Sequence, residues 1–153
     1  MPPTQQSLEA RVRALEDKEE ILALFMEFGR CLDAKDWEPY ADLFAEDGVL
    51  NSLQGVGRAN GRAEIRALFG KTLKDVPATA FHLYNNIAID VDGDTATARS
   101  FWTYLRPGPD GAPEILQFGR YRDRLTRENG RWRFELREIT RELGHPPYVK
   151  EQS

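Results

Sequence analysis

Cysteine is nearly missing from this chain: Cys31 is the one example in 153 residues, so no disulfide can form within it. Histidine is almost as scarce, and His82 and His145 with one cysteine give no cluster at metal-ligand spacing. A structural zinc site is excluded on that count, and nothing in the residues calls for a metal or another cofactor. Positive charge is in deficit, with 21 Lys and Arg against 25 Asp and Glu. That leaves no electrostatic footprint for a phosphate backbone or an anionic membrane surface, so nucleic acid and membrane are not expected partners. No apolar run approaches the ~20 residues of a membrane span. The N-terminal string MetProProThrGlnGlnSerLeuGluAla lacks the apolar stretch of a secretory leader, and the expected location is cytoplasmic. Internal repeats and low-complexity stretches are absent as well.

What is present suits one globular domain, with 41% hydrophobic and 30% charged residues. The first half has helical periodicity. Leu8, Val12 and Leu15 follow Ser7, a possible N-cap, and predict a short opening helix. Asp17 with Glu20 three residues on resembles a capping box, which predicts a fresh helix over 17–34. Its broad apolar face is Ile21, Leu24, Phe25, Phe28 and Leu32. A neighbouring row, Leu22, Met26, Gly29 and Asp33, ends in a carboxylate. A third helix is predicted from Asp36 to Phe44, a short strand over 48–53, and a fourth helix from Asn60, closed before Pro77.

From Ala78 the period changes to two. Asp92-Gly93 and Asn129-Gly130 are hairpin signals, and four strands are predicted over 79–91, 94–106, 114–127 and 131–142. Flat strands of that length would run ~40 Å, too long for so small a domain, so the sheet must curl. The expected fold is α+β: a cone-shaped, curved antiparallel sheet on three to four helices, with an internal cavity. Residues 1–16 form a helical extension, 17–142 the cone and 143–153 a tail. Strict alternation back from Asp92-Gly93 puts Phe81, Leu83, Trp102 and Tyr104 on the inner face and His82 outside, unless a β-bulge at Asn85-Asn86 reverses the phase. The same counting across Asn129-Gly130 puts Arg120, Arg122, Arg124, Arg133 and Arg137 on the outer face. The apolar side of the meander, Trp102 included, exceeds what an open cone can hold, which predicts a homodimer or higher oligomer through the outer sheet.

Several local strings bear on family. They include CysLeuAspAlaLysAspTrp at 31–37, LeuPheAlaGluAspGlyVal at 43–49, PheHisLeuTyrAsnAsnIle at 81–87 and AsnGlyArgTrpArgPhe at 129–134. In that order the chain resembles the SnoaL-like branch of the nuclear-transport-factor-2-like superfamily over about residues 17–142. The resemblance implies the cone fold and leaves function open, because that fold hosts dehydratases, isomerases, polyketide cyclases, oxygenase small subunits and noncatalytic binders. Its dehydratase-like members pair an aspartate near the end of the first long helix with a histidine on the first strand of the meander. Asp33 and His82 occupy the matching places. The tyrosine that those members carry just before the aspartate is replaced here by Phe28, Gly29 or Leu32. Arg137 lies where some relatives have a cavity arginine.

The implied chemistry is proton abstraction next to a carbonyl or phenolic system. Histidine suits that task near neutral pH, and a carboxylate on its other nitrogen fixes the tautomer. His82 is the expected base and Asp33 its partner, with Tyr40, Trp102, Tyr104 and Tyr121 as expected substrate contacts. The predicted function is a cofactor-independent lyase or isomerase acting on a small hydrophobic molecule. Two other classes fit the same residues: a noncatalytic small-molecule binder, and the small subunit of a ring-hydroxylating oxygenase.

Overall fold

The computed structural model describes residues 6–72 and 80–145. Three helices and six strands follow in the order α1 (Leu8–Ala34), α2 (Trp37–Asp42), β1 (Phe44–Ser52), β2 (Gly57–Asn60), α3 (Gly61–Thr72), β3 (Phe81–Asp92), β4 (Thr95–Pro107), β5 (Pro113–Glu128) and β6 (Arg131–Gly144). The sheet order is β2-β1-β6-β5-β4-β3. All neighbours are antiparallel except β1 and β6, which run parallel. The curved sheet wraps its concave side onto the helices, as the alternation predicts, and the short strand expected at 48–53 is part of a longer β1 that brings β2 with it. The expected end of the fourth helix before Pro77 falls at residues outside those described.

Ser7 does cap α1, taking the Ala10 N–H on its Oγ at 3.2 Å. The predicted break at Asp17 does not occur: one helix continues through it. The carboxylate of Asp17 has no capping role because it is buried and bonded elsewhere, accepting from Trp132 Nε1 at 3.2 Å and from the Arg127 guanidinium. Phe28 stands at the centre of the core, its ring 4.9–6.4 Å from those of Tyr40, Phe44, Tyr84, Tyr121 and Phe134.

Two bulges decide which side chains face inward. In β3 the pairing runs evenly from Asp92↔Thr95 to Ala88↔Arg99 and resumes at Asn85↔Phe101, with Asn86 in the left-handed region at φ 52°. Asparagine is among the few residues that adopt this conformation readily. Ile87, Ile89 and Val91 pack against the core, and beyond the bulge the phase reverses so that His82 and Tyr84 face in. The prediction of Phe81 and Leu83 on the inner face is therefore corrected: both are exposed, while Trp102 is buried. In β6 the register shifts between Leu125↔Phe134 and Arg124↔Leu136, leaving Glu135 as the extra residue. That reverses a second phase and corrects the placing of Arg137 outside, since it is wholly buried opposite Asp123. Arg120, Arg122 and Arg124 remain on the exposed side.

Candidate functional site

The last turn of α1 lies against β3, and a glycine permits the approach. A Cβ on Gly29 would fall 2.6 Å from Tyr84 Cε2, so only a residue without one lets helix and strand close to this distance. One turn on, Asp33 reaches the strand. Its Oδ2 accepts the backbone N–H of His82 at 3.1 Å, and its Oδ1 lies 2.6 Å from His82 Nδ1. A carboxylate accepts only, so Nδ1 carries the proton in this contact and Nε2 is left as the basic nitrogen. A carboxylate near a helix C-terminus sits against the negative end of the helix dipole, and a donating partner there relieves that cost. Tyr104 is the cross-strand partner of His82, with ring centroids 4.8 Å apart.

Asp33 and His82 form part of the wall of a cavity of about 120 Å³ between the helices and the concave sheet. Tyr40, Trp102, Tyr104 and Tyr121 line the same space, so all six residues singled out in the sequence come together. Burial pushes the Tyr40 phenol well above its ordinary 10, and it raises Tyr121 to about 12, so both stay protonated. Burial also raises Tyr104. The indole of Trp102 lies over Gly119, where a Cβ would be 2.5 Å from its Cε2 and Cζ2.

Arg137 is not part of this wall. It sits behind it, with its guanidinium carbon 3.8 Å from the ring centre of Tyr121, 4.0 Å from that of Phe28 and 4.5 Å from that of Phe134. Its Nε is 3.5 Å from Asp123 Oδ1. Burial pushes the Asp123 carboxyl up to about 7, against the pull of Arg137.

Ser52, Gln54, Gln117 and Arg141 also line the cavity and were missed in the sequence. Gln117 was within reach, being inward by plain alternation from Tyr121. Arg141 follows from the displaced phase of β6, which no turn residue announces. It is tied to Gln54 by its backbone N–H, 2.8 Å from Oε1, and by its guanidinium, 3.0 Å from the Gln54 carbonyl. His145, to which no role was given, contributes its carbonyl to Gln117 Nε2. No helix among the described residues is long and apolar enough to cross a membrane.

Comparison with known proteins agrees with this architecture. Residues 13–138 match the model of the SnoaL-like domain. An NTF2-like protein with a cystatin-like fold from Novosphingobium aromaticivorans is 32% identical over 95% of this chain and 94% of its own, with a TM-score of 0.81. A candidate aromatic ring hydroxylase from the same organism is 25% identical over 84% and 91%, TM-score 0.72. A candidate scytalone dehydratase, also from that organism, is 24% identical over 91% and 97%, TM-score 0.69, a likeness of fold alone. No curated protein matches this chain.

Proposed function

The chain belongs to the SnoaL-like domain family, and from that premise we propose that it is a cofactor-independent lyase or isomerase acting on a small hydrophobic carbonyl or hydroxylated ring compound. The observation that carries this reading is the contact of Asp33 with both the ring and the backbone of His82 on the cavity wall. His82 Nε2 takes the proton from a carbon beside the substrate carbonyl, and the C–H electron pair moves into the carbonyl to give an enolate. Where the substrate carries a β,γ double bond the enolate is a dienolate, and the imidazolium returns the proton to its γ-carbon, which moves the double bond into conjugation and isomerises the substrate. With a β-hydroxyl present, it protonates that group instead, which leaves as water. Asp33 stabilises the imidazolium and holds its tautomer. Tyr40, Trp102, Tyr104 and Tyr121 contact the substrate.

The test is deuterium incorporation into cyclohexanone in heavy water, followed by NMR. The wild-type protein is expected to accelerate exchange, and His82→Ala to lose about 10²–10⁴ of that acceleration. Exchange that is unchanged in His82→Ala refutes the reading. A wild type that binds the ketone without exchanging it is a binder and no enzyme. For assembly, the proposed partner is a second copy of the chain, meeting the outer sheet face where Phe81, Leu83, Ile115 and Leu143 are exposed.

A further inference from the structure

The chain as a whole is acidic, with a formal charge of -4, yet the wall of its cavity is not. Asp33 is the one carboxylate there among the described residues, and it is occupied by His82; against it stand two cations, Lys35 and Arg141. The register of β6 turns Arg141 inward. Its neighbours Thr140 and Glu142 belong to the outer face, where Thr140 pairs with Arg120 and the Glu142 carboxylate lies 3.5 Å from Arg120 Nε. Arg141 itself pairs with Gly119, which pairs in turn with Trp102, an inward residue of the cavity wall. Gly119 puts no side chain between the two. The guanidinium is moored: Nη1 donates to the Gln54 carbonyl at 3.0 Å, and the Arg141 backbone N–H donates to Gln54 Oε1 at 2.8 Å. Arg141 is half-buried, and none of its nitrogens is among the closed, unpartnered atoms that include all three of Arg137. No carboxylate among the described residues forms an ion pair with it.

We propose that Arg141 is an anion subsite, so that the cavity takes a ring compound bearing a carboxylate, with the ring on the apolar wall and the carboxylate on the guanidinium. The proposal rests on the reading above in placing the substrate in this cavity, and it narrows that substrate to an acidic ring compound. An arginine side chain is a permanent cation, and its planar fork matches the two oxygens of a carboxylate. A charge drawn partly out of water is costly until an opposite charge meets it, and Arg141 has a mooring carbonyl where it needs a counter-ion. Arg137 makes the contrast, since it is sealed against Asp123 and the ring of Tyr121 and has no opening for a ligand. Size sets the other limit. An apolar protein cavity of about 150 Å³ holds one benzene, and this one, of about 120 Å³ with a mouth to solvent, accommodates a single ring. Phe28, Leu32 and Phe69 supply the apolar wall. Because β5 and β4 lie between β6 and β3, a ring anchored at Arg141 extends across the concave face toward the strand that carries His82.

The experiment is titration calorimetry of the full chain, near neutral pH and at low salt, with cyclohexanecarboxylate and with cyclohexanecarboxamide, which keeps the shape and lacks the charge. The readout is the ratio of the two affinities, which cancels changes in the ring site and overall fold. The wild type is expected to prefer the carboxylate at least tenfold, about the worth of one charge-assisted hydrogen bond. Arg141→Gln should bring the ratio near one, and Arg141→Lys, which keeps the charge and gives up the fork, should retain a preference of about threefold. His82→Ala should leave the ratio unchanged. Equal affinities in the wild type, a ratio that survives Arg141→Gln, or no binding of either compound at millimolar concentration overturns the proposal. A preference lost as fully in Arg141→Lys as in Arg141→Gln traces it to the Gln54 mooring and overturns it too. Deuterium exchange into cyclohexanone separates this from the function itself. Preference without exchange in the wild type leaves the anion subsite standing and refutes catalysis, whereas exchange with an indifferent ratio does the reverse.

Discussion

Asp33 accepts two hydrogen bonds from one residue, and the two have different consequences. The bond from the ring orients the imidazole, and the bond from the backbone ties helix to strand. Asp33→Asn can keep one acceptor but turns an NH₂ toward the other donor. We expect it to slow ketone exchange at least a hundredfold and to cost about 1–3 kcal/mol in stability, measured by NMR and by urea unfolding. Asp123 is a second carboxylate with a readable signature. Its folded value of about 7 lies above the ordinary 3.8, so between those pH values the folded state keeps a proton that the unfolded chain has released. Its contribution to stability therefore falls as pH rises through that window, by at most about 1.4 kcal/mol per pH unit, and levels off above it. The unfolding free energy of wild type minus that of Asp123→Asn should fall from pH 4 to pH 7 and then stay flat.

At the scale of elements, the register of β3 decides whether there is a site at all. Asn86 sits in the left-handed region, where a β-branched residue is strained by about 1–2 kcal/mol and glycine is not. Asn86→Val should lower stability by that amount and reduce exchange by weakening the hold on His82, while Asn86→Gly should stay within a few tenths of a kcal/mol of wild type. Gly29→Ala should be worse, costing about 1–3 kcal/mol, because its Cβ meets the half-buried Tyr84 ring and drives α1 from β3. Melting curves and exchange rates check both. Helices and hairpins were legible in the sequence because apolar spacing and turn dipeptides are local signals. Asn85-Asn86 marked a possible bulge for the same reason. The bulge in β6 was hidden, because the extra residue is Glu135, an exposed charge bonded to Arg124 that looks like any other position of a solvated strand. Arg137 was thus placed on the wrong face, and Arg141 in the cavity wall was missed. The join between residues 16 and 17 was misread because Asp17 has a cap's identity and sequence context but bonds to β5 and β6 over a hundred residues away.

For the whole molecule, the outer sheet carries an apolar region that the cone cannot absorb. Leu83, Thr103, Phe118 and Leu143 are successive partners across four strands, flanked by Phe81 and Ile115, with the Phe101 and Phe118 rings 5.4 Å apart. Sedimentation equilibrium at micromolar concentration is expected to give a dimer, and Leu83→Glu a monomer; a monomeric wild type removes that expectation. Among the described residues the sheet also ends at β3, with no strand beyond it. A terminal strand presents bare backbone donors that can recruit another chain, and proteins cover or charge such borders. Here the N–H of His82 is taken by Asp33, so the residue that holds the imidazole also covers one donor on that border of the sheet. Loss of that carboxylate would then be felt in storage as well as in turnover. Asp33→Ala protein should become cloudy at concentrations where His82→Ala, whose backbone N–H is still covered, stays clear.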